Sequence, residues 1–271
     1  MTVKRSISAM AVFMVAAAFA APAGGGGDKA KRFVLCDPLL KAPAACYALE
    51  PGWTGMGLIK WEIPAKLNPN IEIAILMNPA ERRIVQSTSV VNKGSFMLEQ
   101  TGNIYSDANA MAAYLAQQIN SSIVVPGLAN FRPKYGRFSN DVPQKTKQII
   151  DLAFSISRTA QIKRAFKVEC FFDCEYNGAK CEALYEYVCA FSATQIRPNL
   201  PTIASVVEHN LFFTIAPPGE LDATKKVGGR LLAGGVRDLL VAARQVMDKR
   251  TPELRRTRQE HNSRAHAHPR E

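Results

Sequence analysis

Between Val168 and Phe191 the chain reads VECFFDCEYNGAKCEALYEYVCAF, and the Asn177-Gly178 pair inside it constrains the fold more than any other feature. Both residues tolerate the positive φ of a type I′ turn, so the flanking segments are expected to fold back as antiparallel strands. With a two-residue turn, residues whose numbers sum to 355 face one another. One face then carries Phe166, Val168, Cys170, Phe172, Cys174 and Tyr176, continued by Ala179, Cys181, Ala183, Tyr185, Tyr187, Cys189 and Phe191. The other carries Lys167, Glu169, Asp173, Glu175, Lys180, Glu182 and Glu186, and reads as a solvated surface, not an acid–base pair. A one-residue slip would invert both faces, which fixes the register.

Four of the six cysteines lie on the apolar face. In this register Cys174 faces Cys181, while Cys170 and Cys189 face Tyr185 and Phe166. Cys36 and Cys46 bracket a proline-containing loop, CDPLLKAPAAC. Structural disulfides are the favoured reading, because thiols that meet in an exported protein are usually oxidised. Cys174 with Cys181 and Cys36 with Cys46 are candidates, and Cys170 and Cys189 could instead meet Cys36 and Cys46. The rung of Cys174 and Cys181 is a hydrogen-bonded pair, somewhat too wide for a relaxed disulfide. Fifteen connectivities stay open. Buried free thiols are one alternative and metal or redox chemistry another. Spacings of three, six and seven residues do not match a zinc site, and no CxxC is present.

Export is read from the first residues. MTVKRSISAMAVFMVAAAFAAPAGGGG has a basic start at Lys4 and Arg5, an apolar run from Ala9 to Ala21, and Ala-Pro-Ala at Ala21 to Ala23. This is the pattern of a cleaved signal peptide over residues 1–23, with an uncleaved anchor as the alternative. The apolar run is short of the roughly 20 residues that span a bilayer, and no later segment reaches that length. A secreted or periplasmic location is expected.

The formal net charge is +11. Residues 249–271, KRTPELRRTRQEHNSRAHAHPRE, hold seven Lys/Arg against three Asp/Glu, so this tail is basic and expected to be disordered. Residues 24–50 read as a flexible leader with the Cys36/Cys46 loop, and 51–248 as one α+β domain. Within it MGLIKWEI, IEIAILMN and RIVQSTSV read as strands, with Asn78-Pro79-Ala80-Glu81 as a hairpin turn, and SFMLEQ as a short fourth strand. Asp107 is placed to cap a helix whose stripe is Met111, Tyr114, Leu115 and Ile119. A loop, Val124 to Pro143, leads to a second helix from Gln144 to Arg164. After the hairpin come one more strand, NLFFTIA, and a long final helix with Leu232, Val236, Leu239, Leu240, Ala243 and Val246 buried. The expected architecture is a mostly antiparallel sheet covered by about three helices.

The motif Phe131-Arg132-Pro133-Lys134-Tyr135-Gly136-Arg137-Phe138 interleaves cations with aromatics. Arg132, Lys134, Tyr135 and Arg137 are the best candidate anion-binding residues in the body, read against a plain surface loop with packed aromatics. Lys225-Lys226-Val227-Gly228-Gly229-Arg230 has a phosphate-loop flavour but no following Gly-Lys-Ser/Thr; paired glycines for close helix packing are the better reading. His209 is alone in the body, and His266 and His268 lie in the tail. No catalytic triad or metal-ligand pair is visible, and no catalytic residue, metal or cofactor is assigned.

The segment PGWTGMGLIKWEI, Pro51 to Ile63, resembles the opening of a poorly characterised group of exported bacterial proteins. The YLAQQI helix followed by Pro126 and FRP, and the late hairpin, fall in a similar order. That group is similar in turn to the PsbP-like α/β sandwich. The resemblance covers roughly Pro51 to Ala216, implies the fold, and supplies no catalytic residues. Together these readings favour an exported, non-enzymatic binding or scaffolding domain of the cell envelope. Its partner would be an envelope protein or an anionic polymer. A hydrolase whose site converges only in three dimensions is one alternative. Anionic-polymer or nucleic-acid binding through the basic tail is another, with nucleic acid disfavoured.

Overall fold

The computed structural model describes residues 31–37, 42–61, 69–88, 92–97, 105–122, 125–156, 162–194 and 202–233. The signal segment, the residues of the tail and the final helix beyond Ala233 lie outside the described residues. Two strands, β1 (Arg32–Asp37) and β2 (Ala42–Ala48), form a small hairpin sheet. The larger sheet contains β3 (Thr54–Trp61), β4 (Pro69–Asn78), β5 (Arg83–Thr88), β6 (Asn92–Met97), β7 (Leu128–Ser139), β8 (Ile162–Tyr176), β9 (Ala179–Thr194) and β10 (Ile203–Ala216). Its order is β3-β4-β5-β10-β9-β8-β7, with β6 also paired to β10, and every described pairing is antiparallel. Three helices accompany it: α1 (Ala108–Ser122), α2 (Gln144–Ile156) and α3 (Leu221–Ala233). The α+β expectation stands.

The hairpin register is the one read from the turn. Asn177 and Gly178 have φ of 52° and 74°, and pairing runs without a shift from Tyr176↔Ala179 through Cys174↔Cys181 to Ile162↔Ala193. Alternation along the strands then separates two cores. Val168, Cys170, Phe172, Tyr185 and Tyr187 bury against Met111, Leu115 and Ile119 of α1 on one side of the sheet. Asp107 accepts the backbone N–H groups of Asn109 at 2.9 Å and Ala110 at 3.2 Å on Oδ1, the capping role expected of it, worth about 1 kcal/mol.

The opposite side is covered in two places. Leu231 and Leu232 of α3 pack with Leu76, Val85, Trp53 and the β1–β2 hairpin, while Ile150 of α2 packs with Val188 and Ala190. A Cβ on Gly228 would run into Val85, so this glycine permits the close approach of α3 to the sheet. The Lys225–Arg230 segment is therefore part of a helix and not a phosphate loop.

Three other expectations are corrected. Within the expected leader, Arg32–Asp37 and Ala42–Ala48 pair as β1 and β2, held by buried Leu35, Tyr47 and Leu49, so Cys36 and Cys46 lie on strands and not in a simple loop. The expected helix from Gln144 to Arg164 ends at Ile156, because Ile162–Arg164 pair instead with Phe191–Ala193. Non-local ladder bonds override a local helical pattern there. The loop expected over Val124 to Pro143 contains β7, a full edge strand. Its Pro133 has no N–H to offer, which an edge strand tolerates and a central strand does not.

Candidate functional site

Strand β7 forms one end of the larger sheet, and its pairing with β8 is interrupted twice, between Ala129 and Arg132 and between Pro133 and Tyr135. Such irregularities re-aim side chains along a strand. Here they bring Lys134, Tyr135 and Arg137 to the face shared with Phe171, Asp173 and Glu182. Tyr135 pairs with Phe171 across the ladder, and the rings stack with centroids 4.4 Å apart at 20°. The Arg137 guanidinium lies 5.4 Å from the Phe171 centroid, so one aromatic ring backs both a tyrosine and a cation. Tyr135 remains 46% exposed, which makes it the accessible part of this stack.

The cations of the motif have intramolecular partners. Lys134 Nζ donates to Glu182 Oε1 at 2.8 Å and lies 3.3 Å from Asp173 Oδ1, while Arg137 Nε donates to Glu169 Oε2 at 2.6 Å. The hydrogen bond to Glu182 raises the Lys134 pKa, and that to Glu169 raises the Arg137 pKa. Arg132 is exposed and forms no ion pair with a described residue. It lines a cavity of about 630 Å³ with Asn120, Leu128, Ala129, Asn130 and Phe131. Asn120 fixes that region: its amide donates to the Phe131 carbonyl at 2.8 Å and accepts the Phe131 N–H at 2.9 Å. The structure thus gathers Lys134, Tyr135 and Arg137 on one face, with Arg132 beside them on the same edge strand.

The same face carries, further in from the edge, a feature that sequence reasoning missed. Glu169 and Glu186, expected on a solvated surface, are only 5% and 6% exposed. Lys167 Nζ donates to Glu169 at 2.9 Å and to Glu186 at 2.9 Å, and Lys225 of α3 reaches Glu186 at 2.6 Å. With Arg137 this makes a chain of alternating charge from the sheet edge to α3: Arg137, Glu169, Lys167, Glu186, Lys225. The alternation of the hairpin located these residues on the second face. What hid their burial is that α3, whose Lys225 reaches Glu186 on that face, comes from a distant part of the chain.

Burial opposes ionisation of Glu169, but the hydrogen bonds from Arg137 and Lys167 outweigh it and hold its carboxyl below the ordinary value of 4.5. The Glu182 carboxyl is also lowered, by Lys134 and by the Gly219 N–H at 3.0 Å. An unfolded chain therefore takes up these protons at higher pH than the folded one. The stabilisation is present above the ordinary carboxylate range and is lost as pH falls through the lowered folded values. We predict that the urea midpoint declines below about pH 4.5 and that Glu169→Gln flattens this decline. An unchanged slope in that variant would remove Glu169 from the account.

All six cysteines are free thiols in this structure. Cys174 faces Cys181 as expected, but Cys36 lies opposite Pro43 and Cys46 opposite Val34, so that candidate pair is out of direct register. Burial pushes the Cys170 thiol up to about 12, and the Cys174, Cys181 and Cys189 thiols are raised in the same sense by the same cause. Cys36 and Cys46 are exposed. A thiol reagent should titrate Cys36 and Cys46 in the native protein and the other four only after unfolding. Four reactive thiols in denaturant, in place of six, would reveal a disulfide and identify its pair by mapping.

Among the described residues no three His, Cys, Asp or Glu side chains are grouped to hold a metal ion, and no helix is long and apolar enough to cross a membrane. His209 pairs through its backbone with Val188, and its side chain lies outside the described ones, as do His266 and His268. No family model and no curated protein matches the chain. Among solved structures, the chain is similar to the solution structure of cyanobacterial PsbP (CyanoP) from Synechocystis sp. PCC 6803. Identity is 10% and the TM-score 0.27, with 80% of this chain and 99% of that chain covered. This is a weak structural resemblance.

Proposed function

We propose that the chain is an exported, non-enzymatic binding domain of the cell envelope that engages its ligand through the Tyr135 face of the sheet edge. The observation that carries this reading is the half-exposed Tyr135 ring, stacked on Phe171 and flanked by Lys134 and Arg137. A rigidly backed aromatic costs little side-chain entropy to immobilise, and such residues dominate contact surfaces. Export rests on the N-terminal pattern of residues 1–23.

The test is retention of the mature protein on isolated cell envelopes. Tyr135→Ala should weaken retention by about tenfold, equivalent to about 1.4 kcal/mol, with the fold intact by circular dichroism. Deletion of residues 249–271 should leave retention in place. If that deletion abolishes it, and added salt does the same, the basic tail is the binding element and the Tyr135 face is not.

A further inference from the structure

The charges around Tyr135 specify what kind of ligand it takes. Lys134 is matched by Glu182 and Asp173, and Arg137 by Glu169, each through contacts of 3.3 Å or less. A bare polyanion would have to displace these carboxylates before it met a positive field. What the face does present is a flat, backed ring bordered by both donors and acceptors. A pyranose ring has the complementary chemistry: an apolar C–H face for stacking, and hydroxyls that each donate and accept hydrogen bonds.

We infer that the ligand of this face is a glycan, one pyranose ring stacking on Tyr135 with its hydroxyls meeting the Lys134–Glu182 pair and the exposed Arg137 guanidinium. This rests on the envelope-binding reading above and names the ligand class of the same site. Arg132 leaves one positive charge on the edge strand without an ion-pair partner among the described residues, room for a single acidic substituent and not for a polyanion's field.

The experiment compares retention of the full mature chain on three samples of envelope: untreated, oxidised with periodate, which cleaves vicinal diols of sugars, and digested with protease. The inference expects retention lost after periodate and kept after protease. It also expects Tyr135→Phe to bind within threefold of the parent, because the ring stacks and the hydroxyl does not. Retention that survives periodate, or that protease removes, overturns the glycan assignment while envelope binding stands. A failure of Tyr135→Phe to bind overturns stacking as the mode of recognition. No retention on untreated envelopes sinks both readings.

Discussion

Lys167→Met lowers the unfolding free energy by about 3 kcal/mol, because it strips the central cation from two buried carboxylates. Glu169 keeps Arg137 and Glu186 keeps Lys225, so neither is left wholly alone; this holds the expected loss to the lower part of the range for broken buried pairs. Lys167→Met combined with Glu169→Leu and Glu186→Leu removes the charges together and should recover most of the loss, since well-packed apolar groups often replace a buried ionic cluster without penalty. Urea midpoints at neutral pH measure both. A single variant within about 0.5 kcal/mol of the parent would show that solvent reaches this chain of charges and replaces the lost partner.

Gly136→Ala has the next largest expected effect, about 2 kcal/mol. Gly136 sits between Tyr135 and Arg137, opposite Cys170, and a Cβ there would collide with the backbone carbonyl of Ala108 in the first turn of α1. Backbone cannot rotate out of the way as a side-chain tip can. Either the strand or the helix start must move, and the hydrogen bond from the Gly136 N–H to Asn109 Oδ1, 3.0 Å long, goes with it. Gly229→Ala is the contrasting substitution: it lies within α3, a Cβ there meets nothing within 4 Å, and Ala is the better helix former. It should raise stability by up to about 1 kcal/mol. Equal effects from the two glycines would show that close packing is not what distinguishes Gly136.

The contrast between what the sequence revealed and what it concealed follows from range. Asn177-Gly178 and a nearly complete alternation define the β8–β9 ladder using only local information, and every rung agrees with the structure. Asp107 was likewise readable, since a cap acts within three residues of itself. Strand β7 was not, because Pro133, Gly136 and three cations resemble a loop until a partner strand is known. Its charges and proline are the features that edge strands commonly carry to discourage further pairing. The binding motif itself was visible as residue types, but the stack of Tyr135 on Phe171 and the neutralisation of Lys134 and Arg137 depend on β8 and β9. The chain of charges that holds Glu169 and Glu186 ends on Lys225 of α3, which is remote in sequence. Alternation says which face a side chain is on; it does not say what covers that face.

The order of the sheet carries a further consequence. Strands β3 to β5 are joined to their neighbours in sequence, and so are β7 to β10, so each group is a meander that closes over short distances. The groups meet along one edge of β10, where β5 takes Leu211–Ile215 and β6 takes Ile203–Glu208 end to end. That edge is the place where contacts of high sequence separation must be made, with the loop-closure entropy they entail. Ile84, Val85, Phe213 and Ile215, all fully buried at that seam, are the residues on which the union of the two halves into a single cooperative sheet depends.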